Sequence, residues 1–167
     1  VLPSHTGKVT RHDFADGRVQ HRWVNLQDAD EPLVLTREQV RDALGGRATD
    51  SRVDDTAVVA VELVTNALRH TQTGPTGMWV DVYEDTAVLW VHDSDGDVDA
   101  VRPRVADATS YLDLAEDGRG LPLVDALVTR WLVWPTKEGK AVVAEIGLRE
   151  AEGPTPGLVP APRVPEQ

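Results

Sequence analysis

The 167-residue chain has no cysteine. That excludes disulfides, thiolate metal sites and cysteine nucleophiles. It also lacks any block of Lys and Arg: 17 basic residues stand against 28 acidic ones, a formal net charge of −11. Nucleic acid and anionic membrane surfaces both need clustered basic charge, so neither is an expected partner. A basic protein surface or a metal-bound ligand suits this balance, and the acidity also favours solubility. No stretch approaches the ~20 apolar residues of a membrane span. Val1–Thr10 has no apolar region of the signal-peptide kind. The expected location is the cytoplasm. No internal repeat is present.

What is there suits one domain with extra terminal segments, and a 41% hydrophobic content suffices for a sizeable core. Three parts can be told apart. Residues 1–31 read as an N-terminal extension. Asp16-Gly17 separates two strand-like runs, Lys8–Phe14 and Arg18–Leu26, and Asp-Gly predicts a β-hairpin. Residues 32–150 form the main domain. Residues 151–167 hold five of the eleven prolines and read as an extended or disordered tail.

In the main domain, Thr36 is the expected cap of a helix over Arg37–Leu44, ended by Gly45-Gly46. Ser51, with Asp54 three residues on, resembles a capping box opening a second helix to about His70. Met78–Tyr83 and Ala87–His92 read as strands around a turn at Glu84-Asp85. Asp93–Asp117 reads as a long acidic loop, and a loop of that length is more often functional than idle. Gly118-Arg119-Gly120 precedes an expected helix over Leu121–Thr129. Strands Arg130–Trp134 and Ala141–Leu148 follow, around a turn at Lys137–Gly139. This order predicts an α+β fold: a two-layer α/β sandwich, mostly antiparallel, with helices on one face of the sheet.

The second helix carries the most informative residues. From Ala57 to Leu68 every residue but Glu62, Thr65 and Asn66 is aliphatic. A helix apolar nearly all round is expected to be buried on most sides. Glu62 and Asn66 are four apart, on one face. Buried without partners, each would cost several kcal/mol. A metal ion carrying a phosphate would offset that. The bland alternative pairs Glu62 with Arg69 or another neighbour.

Two further motifs follow, Asp93-Ser-Asp-Gly96 after an apolar strand and Gly118-Arg119-Gly120-Leu121 at a helix start. Two glycines before a helix are often only a tight turn. A helix N-terminus with closely approaching glycine backbone also binds phosphate through free N–H groups. Mg²⁺ prefers oxygen ligands, and Asn66 offers a neutral one. The spacing of Asp93, Asp95, Asp97 and Asp99 has the look of a calcium loop. An EF-hand would need Gly and Glu where Val98 and Arg104 stand. A strand followed by Asp-x-Asp also fits aspartate-nucleophile phosphatases, although Asp97 departs from their pattern. His5, His12 and His21 have no metal-like spacing, and the five tryptophans suit core or edge packing.

Taken together, the three motifs resemble the ATP-binding module of the GHKL superfamily (the Bergerat-type ATP-binding fold), which includes gyrase, a heat-shock chaperone, histidine kinases and mismatch-repair ATPases. Within it, VVAVELVTNALRH, DGRGLPLVDALVTRW and EGKAVVAEI are similar to bacterial anti-sigma-factor serine/threonine kinases and their single-domain actinobacterial relatives. The resemblance covers about Pro32 to Arg149. It implies Glu62 as general base, Asn66 as the Mg²⁺ ligand bridging to ATP, and Asp93 as acceptor for the adenine amino group. Gly96 belongs to the adenine motif, and Gly118-Arg119-Gly120-Leu121 to the phosphate-binding turn, with Gly118 and Gly120 giving backbone amides. Ser94–Asp117 would be the ATP lid. His70 matches a common residue after the Asn motif. ATP and Mg²⁺ are the implied cofactors. The implied partners are a sigma factor and an anti-anti-sigma protein, with a homodimer as the common assembly. One departure stands out: Asp95 occupies the family's glycine position and Gly96 follows it. The acidic segment also includes Asp107, Asp113, Glu116 and Asp117, charge that Mg²⁺ or a basic partner would have to screen beside a triphosphate.

Overall fold

A computed structural model describes residues 17–95, 124 and 126–150. The elements in chain order are β1 (Gln20–Asn25), α1 (Pro32–Leu44), α2 (Asp50–His70), β2 (Pro75–Val82), β3 (Thr86–Asp93), β4 (Arg130–Thr136) and β5 (Gly139–Gly147). The described strands make one sheet, ordered β1-β2-β3-β5-β4, with every neighbouring pair antiparallel. Both described helices pack on it, α2 against β3, β5 and β2, and α1 against α2, β1 and β2. The fold is the expected α+β sandwich.

The helices begin earlier than the sequence suggests. Pro32 opens α1 at its first position, where a missing N–H costs nothing, and Leu35 N–H donates to Glu31 O at 3.0 Å. Thr36, the expected cap, is fully buried one turn inside, its hydroxyl donating to Pro32 O at 2.7 Å. Gly45 ends the helix, donating to Arg41 O. α2 is capped by Thr49, whose hydroxyl accepts from Arg52 N–H at 3.4 Å, and Ser51 lies within the helix. Its last residue, His70, is the expected one.

Strand alternation sorts side chains between two faces. Val80, Leu89, Val142, Ala144 and Ile146 point to the helices and meet Val40, Leu44, Val59, Leu63 and Val64 in the main core. Leu63 and Leu89, both at most 1% exposed, each contribute about 1.5–3 kcal/mol by leaving water. The opposite face carries a smaller cluster, with Val88, Ala141 and Val143 under Tyr83, Trp90, Leu132 and Trp134. Pro135, which cannot donate to a ladder, sits on the edge strand β4.

β1 is the other edge. Arg18 to Leu26, the expected second arm of a hairpin, contains this strand, and it pairs with β2 from Gln20↔Val82 to Asn25↔Gly77. The first arm lies outside the described residues, as do the acidic segment beyond Asp95 and the C-terminal tail. Of the helix expected over Leu121–Thr129, Val124, Ala126 and Leu127 are described as helical, and Val124 is buried.

Candidate functional site

Asp93 is the last residue of β3, on the helix-facing side of the sheet in alternation with Leu89 and Val91. It is 4% exposed. Its register partners are Pro75 at the start of β2 and Lys140 on β5. Pro75 comes five residues after the end of α2, and Gly74 lies against Leu68. The Asp93 end of the sheet therefore lies beside the C-terminal end of α2, the end that carries Asn66.

The Asp93 carboxylate is held by two donors that converge on one oxygen. Lys140 Nζ donates to Asp93 Oδ1 at 3.0 Å, and the Asp95 backbone N–H donates to the same atom at 2.9 Å. Lys140 Nζ also donates to Asp95 O at 2.9 Å. Among the described residues nothing donates to Oδ2. Lys140 is fully buried. Burying two ions is expensive unless they are paired and hydrogen-bonded, as these are. Removing one partner would strand the other charge, a loss of about 3–5 kcal/mol. The neighbouring turn makes this closeness possible. Gly139, with φ +151°, lies so near that a Cβ there would sit 2.1 Å from Asp93 O.

Glu62 and Asn66 share one face of α2, as their spacing requires, and both are half-buried. The helix is amphipathic rather than buried on most sides: Val58 and Leu68 are 40% and 42% exposed. The two polar residues stand at the margin between its buried and open faces, which lowers the penalty expected for them. Neither has a hydrogen-bond or ion-pair partner among the described residues, so the expected alternative of a Glu62–Arg69 pair is absent. His70 is exposed.

The arrangement thus offers a half-buried carboxylate and a half-buried amide on α2 and a buried acceptor oxygen on β3. Among the described residues no group of three or more His, Cys, Asp or Glu could hold a metal ion. Mg²⁺ takes most of its ligands from phosphate and water and few from protein. Asn66 is the candidate for that single protein ligand. Gly96, Gly118, Arg119, Gly120 and Leu121 lie outside the described residues.

The profile of the histidine kinase-like ATPase domain matches residues 26–146. The chain belongs to that family. The match begins after β1, although β1 is hydrogen-bonded into the same sheet. It covers Glu62, Asn66, Asp93 and Lys140 alike. A search of curated proteins gives no match. In this histidine kinase-like ATPase domain the site residue that motif reading overlooked is Lys140. Its signal was present: Lys140, Val142, Ala144 and Ile146 alternate toward the core, and a lysine at the head of that series needs a buried partner. In the sequence, Gly139 marks only a turn.

The face away from the helices has its own polar group. Arg18 and His21 both pair with Asp81, which is 4% exposed, and His21 stacks on Trp79 at 3.8 Å. Burial, reinforced by the Asp81 carboxylate, holds the nearby Tyr83 phenol above the usual tyrosine range, against the opposing pull of Arg18. A shallow hollow of about 100 Å³ is lined here by Trp79, Trp90 and Trp134. No helix among the described residues is long and apolar enough to cross a membrane.

Proposed function

We propose that this chain is a cytoplasmic ATP-binding regulator that transfers the ATP γ-phosphoryl group to a hydroxyl of a partner protein and so controls a sigma factor. The observation that carries the reading is the Asp93 carboxylate: buried, anchored through one oxygen, and left with an acceptor for an amino group on the other. It stands in a family that binds ATP. Glu62, half-buried and without a partner among the described residues, would take the hydroxyl proton. The hydroxyl oxygen then attacks the γ-phosphorus in line, the bond to the β–γ bridging oxygen breaks, and ADP leaves. Asn66 would hold Mg²⁺, which neutralises phosphate charge. The resemblance names the partners as a sigma factor and an anti-anti-sigma protein, and suggests a homodimer.

A second reading is a regulator that binds ATP or a partner without transferring phosphate. Asp95 at the position of the family's glycine favours it, because it adds negative charge beside the nucleotide. Calorimetry with Mg²⁺-ATP tests the shared premise, and no heat at millimolar nucleotide would remove both ATP readings. Labelled ATP with candidate partners separates them. Label on a partner seryl or threonyl oxygen, lost in Glu62→Ala while ATP still binds, supports transfer. ATP binding with no label on any partner, and partner capture unchanged in Glu62→Ala, supports the second reading.

A further inference from the structure

We propose that Lys140 is a positioning residue that makes the site select adenine over guanine. The inference rests on the ATP-binding reading and deepens it. A carboxylate has two oxygens and only accepts hydrogen bonds. With both oxygens open, it can take two parallel donors, as it does from arginine. Guanine presents such a pair, its ring N1–H and its exocyclic amino group, side by side. Adenine offers one amino group next to a ring nitrogen that is itself an acceptor. A two-oxygen carboxylate therefore suits guanine, and a one-oxygen carboxylate suits adenine.

Lys140 makes Asp93 the second kind. Its ammonium occupies Oδ1 from the facing register position on β5, alongside the Asp95 N–H. The same ammonium binds Asp95 O at 2.9 Å, so the backbone donor and the lysine hold each other in place. Two donors on one atom also fix the carboxylate's rotation, which decides which oxygen is left. Full burial of Lys140 keeps water from exchanging with it. Guanine at this position would keep one donor contact at most and would set its carbonyl against nearby carboxylate oxygen.

The alternative role for Lys140 is structural only, a tie between two strand ends. Nucleotide preference separates the two, because a purely structural lysine moves ATP and GTP affinity together. Calorimetry with Mg²⁺-ATP and Mg²⁺-GTP is run on wild type, Lys140→Met and Lys140→Gln, with folding checked by circular dichroism. The expected result is an ATP-over-GTP preference in wild type that falls by about tenfold or more in Lys140→Met, the worth of a hydrogen bond to a charged group. Lys140→Gln, which keeps an N–H donor for Oδ1, retains most of the preference. An unchanged ratio in folded Lys140→Met overturns the proposal. If Lys140→Met does not fold, wild type decides with a triphosphate of unsubstituted purine riboside, which has neither amino group. GTP binding no better than that nucleotide, both well below ATP, supports the proposal; GTP equal to ATP overturns it. A wild-type protein that binds no nucleotide fails the ATP reading itself and takes this inference with it.

Discussion

Replacing Gly139 with alanine isolates the closest approach around the site. The added Cβ would stand 2.1 Å from Asp93 O and 2.7 Å from the Cα and carbonyl carbon of Ser94. All three are backbone atoms and cannot swing aside. To restore even 3.0 Å the Asp93 carbonyl must withdraw by 3.0 − 2.1 = 0.9 Å. That displaces the segment whose N–H and carbonyl hold Asp93 and Lys140 together. The positive φ of +151° adds a backbone penalty of about 1–3 kcal/mol for a residue with a side chain. Part of the roughly 3–5 kcal/mol tied up in the buried pair is lost as well. A total near 3 kcal/mol is a melting temperature lowered by roughly 6–12 °C for a chain of this size. Thermal unfolding followed by circular dichroism reads it, with Gly46→Ala as control. Gly46 has φ +73° but nothing within 4 Å of its Cβ position, so only the backbone penalty applies there. If Gly139→Ala melts within a degree or two of Gly46→Ala, the close packing of this turn on Asp93 is refuted.

Two further outcomes follow from the site and the outer face. Asn66→Ala should weaken ATP binding in the presence of Mg²⁺ by tenfold or more and leave binding in EDTA little changed, since a lost metal ligand matters only with the metal; equal losses in both buffers would contradict the assignment. Tyr83 should release its proton above the range of an ordinary tyrosine, because burial and Asp81 oppose the phenolate. Its folded form holds the proton more tightly than the unfolded chain, so this contribution to stability is complete below the unfolded value and declines as pH rises through the folded one. A spectrophotometric titration of wild type against Tyr83→Phe checks this, and a normal phenolate transition would rule it out.

Local signals in the chain carried the element types well. Glu84-Asp85 is the turn between β2 and β3, α2 stops at His70, and Gly45-Gly46 closes α1. The caps were harder because several residues competed for each. Thr36 and Pro32 both look like helix starters, and packing of the partly buried Leu35 against the core, with Thr36 fully buried beside it, pulls the start back to proline. The apolar run in α2 suggested burial all round, but a single sheet and one neighbouring helix cover only part of a helix. Motif spacing singles out Glu62 and Asn66 on one face of α2 and Asp93 at the end of β3. Lys140 escaped because its meaning lies in register: it faces Asp93 across two strands separated by 47 positions.

The distribution of tryptophan gives the protein a built-in optical sensor with a preferred side. All five indoles lie in strands, and Trp23, Trp79, Trp90 and Trp134 share the face turned from the helices, while Trp131 joins the main core. Trp23 lies across Gly77, where a Cβ would strike its ring, and tilts toward Trp79 with centroids 5.0 Å apart. Four of the five indoles of this chain therefore lie on the side opposite Asp93 and Lys140. A molecule settling over that side would change the colour or brightness of four emitters at once. One bound beside Asp93 has the thickness of the sheet between itself and those four, so the unlabelled protein can tell which of its two sides has been covered.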